Sequence, residues 1–173
     1  MNVLTLDTDS RKRESMGYRE VIALMKCDDF ADADARAIPV FNSERKYVGR
    51  LIPVGNWLLN DDEKIELIRA WRQRTMRMFL TQFEATFCGT YEYLKSRAIG
   101  QEGRLLFMLY DDADKLIGHM GVTDVDESSG ELGEIIRGIA GGDPRLIYFA
   151  EKALLNWCFK ELEISQSHVR MPG

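Results

Sequence analysis

The chain has 173 residues, about one domain by length, and a chain of that size buries roughly two thirds of its unfolded surface. Apolar residues make up 45% and charged residues 29%, a globular balance that excludes disordered, collagenous and coiled-coil rods. With 23 Lys and Arg against 28 Asp and Glu, the net charge of −5 argues against a nucleic-acid binder driven by phosphate neutralisation.

Three cysteines, Cys27, Cys88 and Cys158, include no C-x-x-C pair, which argues against a disulfide scaffold or cysteine zinc site and fits a reducing cytoplasm. The only two histidines, His119 and His168, cannot form an H-E-x-x-H zinc helix, so no metal is expected. No apolar run approaches the ~20 residues of a membrane helix. In the N-terminal MNVLTLDTDSRKR the basic residues follow the weak apolar stretch, unlike a secretory signal. The expectation is a cytoplasmic protein with neither nucleic acid nor membrane among its partners.

In chain order, residues 1–45 read as an N-terminal extension of uncertain structure, with a short helix over Tyr18–Lys26, an acidic, alanine-rich run from Asp28 to Ala37, and Pro39 as a stop. The main domain spans 46–173. Tyr47–Val54 predicts a strand, with Pro53 at its end or on an edge. Asn60 to Glu63 supplies a cap and acids for a helix start, and Ile65, Ile68, Trp71 and Thr75 recur at helical spacing. Tyr91, Leu94 and Ala98 mark a second helix that Gly100 is placed to stop. Arg104–Tyr110, Leu116–Val125 and Glu131–Arg137 then read as three strands joined by short turns, an antiparallel meander. The glycine-rich Gly138–Gly142 follows. Asp143 as cap and Pro144 at the first position open a helix that runs to about Leu162, and Ile164–Met171 predicts one more strand.

The strand, glycine loop and helix over 131–162 form the informative segment. A helix start exposes unpaired N–H groups and favours anions, and Gly138, Gly141 and Gly142 have no side chain to obstruct a phosphate. The segment is either a phosphate cradle or a plain strand-to-helix turn, and the Asp143 carboxylate competes for the same amides. It is not G-x-x-x-x-G-K-[ST], G-x-G-x-x-G or G-x-S-x-G, so a P-loop, a dinucleotide site and a serine-hydrolase elbow are excluded.

This order of elements, from Lys46 to Met171, resembles the GNAT acyltransferase superfamily. Leu116-Ile-Gly-His-Met-Gly and Glu131-Leu-Gly-Glu-Ile-Ile-Arg-Gly are similar to its third and fourth strands. Trp71-Arg, Phe79-Leu-Thr-Gln-Phe, Arg104-Leu-Leu-Phe and Arg137-Gly resemble a subgroup found beside bacterial surface-polysaccharide genes, thought to acylate amino-sugars or their nucleotide forms. The resemblance implies an α/β (α+β) fold with a mixed, largely antiparallel central sheet and helices on both faces. It implies acyl transfer, most simply acetyl, from acyl-CoA to a small amine, with no metal. The family's phosphate loop is matched unevenly by Arg137-Gly-Ile-Ala-Gly-Gly. Pyrophosphate binding through Arg137, Gly141, Gly142, Arg145 and the Leu146 amide is implied, and pairing of the thioester arm with the backbone at Ile135 and Ile136.

Acyl transfer needs a base for the ammonium proton and a donor near the thioester oxygen. Glu131 occupies the fourth-strand position where some relatives hold the base, or it is a turn-edge carboxylate facing water. His119, with an ordinary pKa near 6.5, suits proton transfer, or it is a buried structural imidazole. Arg74 and Arg77 are candidates for a sugar-nucleotide phosphate, or part of a solvated helix face. Met76, Met78, Phe79 and Phe83 read as core or interface. The family normally continues past its fifth strand into a helix and two strands carrying a tyrosine that protonates the leaving thiolate. Here the sequence stops at Pro172-Gly173, so part of that C-terminal region is expected to be missing. An exposed fifth-strand edge invites a homodimer. The alternative to an enzyme is a GNAT-like module that binds CoA or a protein partner.

Overall fold

A computed structural model describes residues 16–76, 84–164 and 169–170. One six-stranded sheet runs in the order β1-β2-β3-β4-β5-β6. The strands are β1 (Ile38–Phe41), β2 (Tyr47–Pro53), β3 (Leu105–Asp111), β4 (Leu116–Thr123), β5 (Gly130–Arg137) and β6 (Val169–Arg170). Strands β1 to β5 are antiparallel, and β6 lies parallel to β5. The helices are α1 (Tyr18–Met25), α2 (Phe30–Ala35), α3 (Asp62–Met76), α4 (Phe87–Tyr93) and α5 (Leu146–Glu161). Among the described residues no helix is long and apolar enough to cross a membrane.

Strand β3 is buried along its whole length because helices cover both faces. Its period-2 alternation divides the core. Leu105, Phe107 and Leu109 meet Ile22 and Met25 of α1 and Leu146, Ala150 and Leu154 of α5. Leu106, Met108 and Tyr110 meet Ile65, Ile68 and Trp71 of α3 and Leu94 after α4. The mixed, largely antiparallel sheet with helices on both faces is thus observed.

Residues 16–45 belong to this fold. β1 pairs with β2 as the edge of the sheet, and Ile22 of α1 is fully buried. The edge strand escapes sequence reading because it has only four residues, with Pro39 in the middle. The glycine-loop helix also starts later than expected. Asp143 and Pro144 form a turn in which the Arg145 amide donates to Asp143 Oδ1 (2.8 Å) and the Leu146 amide to the Asp143 carbonyl (3.0 Å). The helix proper begins at Leu146, because the Asp side chain closes its own turn first. After Tyr93, α4 continues as a π-helical turn, Leu94–Ile99. Of the strand expected over Ile164–Met171, only Val169–Arg170 is strand among the described residues.

Two irregularities shape the β4–β5 half of the sheet. Ile117 is an extra residue of β4 opposite Tyr110, and its carbonyl accepts the amides of Gly138 (2.7 Å) and Ile139 (3.1 Å). In β5 the register slips by one residue between the pairs His119↔Ile136 and Gly121↔Gly133. There Glu134 adopts φ 55°, a left-handed conformation that side chains disfavour. His119 Nδ1 lies 2.6 Å from the Glu134 carbonyl, so the ring donates to it and pins the bulge. Burial holds the imidazole below its ordinary value of 6.5, which keeps it neutral.

Two predictions follow from these contacts. A Cβ on Gly138 would sit 2.0 Å from the Trp71 ring, so Gly138→Ala is expected to cost about 1–3 kcal/mol in denaturant unfolding; an unchanged midpoint would show that the indole yields freely. The folded His119 takes up a proton less readily than the unfolded one. Stability should therefore fall as pH drops below about 6.5, with a limiting slope of about 1.4 kcal/mol per pH unit for this one group. His119→Asn should flatten that component, and an identical pH profile would contradict the assignment.

Candidate functional site

Beyond the bulge, β5 has two differently exposed sides. Its pairing with β6 covers Gly130 and Glu131. From Leu132 to Arg137 its outer edge has no strand neighbour among the described residues. Backbone N–H and C=O groups there stand ready to pair with an extended chain. Ile135 packs towards the α5 face and Ile136 towards the α3 face, both partly buried, so the edge between them is rigid.

At the end of β5 the glycine loop is tied down by cations. Arg137 donates to the Gly141 carbonyl (2.8 Å), and Arg74 to the carbonyls of Arg137 (2.9 Å) and Gly138 (2.7 Å). Lys115 reaches the Ala140 carbonyl at 3.4 Å. Gly141 and Gly142 have φ of 151° and 65°, and a Cβ on Gly142 would press on Asp111 at 2.9 Å. Only glycine fits there without strain. The Arg145 and Leu146 amides are already bonded to Asp143. The Arg145 guanidinium lies over the rings of Tyr148 (4.6 Å) and Phe149 (5.3 Å), on a flank of α5.

The α3 face of the sheet carries the second half of the site. Register places Thr123 beside Glu131, Gly121 beside Gly133 and His119 beside Ile136 on this face. A Cβ on Gly133 would meet nothing within 4 Å among the described residues, so on their side the middle of the strand is open. At the bulge, the Glu134 carboxylate accepts from the Tyr93 hydroxyl and forms an ion pair with Arg104 at 3.2 Å. Both contacts fall on Oε1; Oε2 and the Nε of Arg104 are buried and have no hydrogen-bond partner among the described residues. Burial first, and the Glu134 carboxylate second, push the Tyr93 hydroxyl well above the ordinary phenol range, so it is a donor. Arg72 of α3 covers the Tyr93 ring from 4.6 Å, and Trp71 lies beside His119 with ring centroids 6.2 Å apart.

The structure therefore sorts the residues singled out in the sequence. Ile135, Ile136, Arg137, Gly141 and Gly142 form one continuous edge and loop. Arg74 joins that loop through its carbonyls and lies away from the acceptor face's carboxylates in bonding. Glu131 and His119 share the α3 face, but the buried imidazole is committed to the bulge. Arg77, Met78, Phe79 and Phe83 lie outside the described residues. Sequence reasoning gave no role to Glu134 or Tyr93, and met Arg72 and Arg104 only as parts of the Trp71-Arg and Arg104-Leu-Leu-Phe motifs. A signal existed for the first: the doublet Ile135-Ile136, three residues after Leu132, breaks the alternation of a regular strand. Among the described residues no group of three or more His, Cys, Asp and Glu is placed to hold a metal ion.

No protein-family model and no curated protein matches the chain. Among solved structures it is similar to the crystal structure of a GCN5-related N-acetyltransferase from Brucella melitensis, with a TM-score of 0.50 and 19% identity over 73% of this chain. The match covers 57% of that other chain, so this protein spans little more than half its length. At this identity the likeness is one of architecture, and the chain has the GNAT fold.

Proposed function

We propose that the protein is an acyl-CoA-dependent N-acyltransferase, most simply an acetyltransferase, acting on a small amine such as an amino-sugar or its nucleotide-linked form. The observation that carries this reading is the edge of β5 from Leu132 to Arg137, which has no strand neighbour among the described residues and leads directly into a cation-clamped glycine loop. An extended pantetheine arm is a chain of amides that pairs with such an edge, here at Ile135 and Ile136, and the loop of Arg137, Gly141 and Gly142 suits the diphosphate at its end. Arg145 and the start of α5 at Leu146 flank that loop.

On the other side of β5, the acceptor amine approaches over Gly133. Its nitrogen attacks the thioester carbonyl carbon, a C–N bond forms, and the C–S bond breaks. The amine gives up a proton to a carboxylate on this face, and the departing thiolate takes one from solvent. Glu134 is the carboxylate held in place by a hydroxyl donor and an ion pair on one oxygen, and Glu131 stands on the same face. His119 acts on the reaction by holding Glu134 in its left-handed conformation.

A specific observation favours the second reading, a GNAT-like module that binds CoA or a protein partner without turnover. The amides of Arg145 and Leu146, which a diphosphate would use, are occupied by Asp143.

Calorimetry with acetyl-CoA separates the readings. Micromolar binding, weakened at least tenfold by Gly142→Glu and by Arg137→Gln, is expected; no binding by the folded wild type would overturn the transfer reading and put the partner-binding module ahead. Given binding and turnover, Glu134→Gln should lower kcat by about a hundredfold or more, the usual share of a proton acceptor, with acetyl-CoA affinity retained. Wild-type kcat in that variant, with a loss in Glu131→Gln, would move the role to Glu131.

A further inference from the structure

The arginines brought to the α3 face differ in what they touch. Arg69 is paired with Glu66 at 2.7 Å and also reaches the Ala85 carbonyl. Arg74 is spent on the two loop carbonyls. Arg104 is paired with Glu134. Arg72 has no carboxylate partner among the described residues; its one side-chain acceptor is Thr90 Oγ1, at a long 3.4 Å. It is half-buried, and its charge lies over the Tyr93 ring, 4.6 Å from the centroid. A guanidinium carries five donors and loses free energy when they are taken from water without acceptors. Its planar fork matches a carboxylate or phosphate by two parallel hydrogen bonds.

The opposite charge is also present, at a residue whose register neighbour in β6 is Arg170. Glu131 lies on the same face, partly buried, and makes no salt bridge or side-chain hydrogen bond among the described residues. Gly133, two residues on from Glu131, has no described residue over its Cβ position, and the Tyr93 ring meets Arg72 with its face and Glu134 with its hydroxyl. The site is dipolar: carboxylates along β5, and on α3 a guanidinium with no carboxylate partner among the described residues, separated from Glu134 by the Tyr93 ring.

We propose that the acceptor is an amine carrying its own anionic group, a phosphate or carboxylate, and that Arg72 binds that group while the amine lies against the carboxylates of β5. The inference rests on the acyl-transfer reading and specifies its acceptor. It disfavours polyamines and basic peptides, whose second cation would face Arg72.

The test uses matched pairs of amines: ethanolamine and phosphoethanolamine, β-alaninamide and β-alanine, glucosamine and glucosamine 1-phosphate. Thiol release from acetyl-CoA is followed for each, and binding of each amine is measured by calorimetry, which needs no turnover. The anionic member of at least one pair is expected to lead its partner by about tenfold or more in kcat/KM and in affinity, the scale of a charge-assisted pair. The pair that responds separates phosphate from carboxylate. Arg72→Gln should collapse that ratio, mainly through KM, and Arg72→Lys should restore part of it. Equal use of both members, a preference for the neutral one, or a ratio unchanged in Arg72→Gln would overturn the inference while leaving acyl transfer standing. Arg72-dependent binding of the anionic amines in a protein that does not bind acetyl-CoA would keep Arg72 as the anion site but overturn the transfer reading, and with it the amine's role as acceptor. A melting curve for Arg72→Gln, with Arg72→Lys beside it, separates lost recognition from lost packing against Tyr93.

Discussion

The hydrogen bond from His119 to the Glu134 carbonyl is the contact on which the β4–β5 half of the sheet depends. A residue with a side chain at φ 55° costs on the order of 1–3 kcal/mol and persists only where its surroundings over-determine it. Here a buried imidazole fixes the carbonyl, while Tyr93 and Arg104 fix the carboxylate. Three elements distant in sequence, the end of α4, the start of β3 and the middle of β4, thus converge on one backbone irregularity. The bulge turns Glu134 onto the α3 face and leaves Ile135 and Ile136 on opposite sides of the strand.

The same economy governs the glycine loop. Gly138 lies against the Trp71 ring so closely that no Cβ fits, and the Gly138 and Ile139 amides share one carbonyl at the Ile117 irregularity. Arg74, Arg137 and Lys115 hold the loop by its carbonyl oxygens. This has an electrostatic consequence. Donors spent on backbone carbonyls neutralise no charge, so the loop keeps its cations while Asp143 and Asp111 oppose them locally. Whether an anionic chain settles there is decided by the balance between three cations and two acids, and by whether Asp143 yields the Arg145 and Leu146 amides.

Much of the fold was legible in the residues. The apolar run of β3, the short turns on either side of β4 and the helical stripe of α3 each impose a period that tertiary packing then obeys. The N-terminal edge strand was not legible, since Ile38 and Val40 supply too little alternation around Pro39 to distinguish a strand from a loop. Asp143 misled by half a turn, because an Asp before a proline can close its own turn as readily as it caps a helix. In the site, the open β5 edge, its glycine loop, Glu131 and His119 were visible as candidates. Glu134 was hidden by an apparent alternation in which it differs little from Glu131.

Composition, periodicity and glycine placement alone determined a single mixed domain in which a strand leads through a glycine loop into a long helix. Those features act locally: a side chain's hydropathy and a glycine's φ range operate on neighbours within a few residues. The tertiary structure decided which charges are spent and which remain available. Arg69, Arg72, Arg74 and Arg104 are alike as sequence, yet one meets a helix carboxylate, one a loop carbonyl pair and one the bulged Glu134, and Arg72 alone of the four is left without an ionic or carbonyl partner among the described residues. Such pairing is set by contacts between residues far apart in the chain, and sequence spacing carries no record of it.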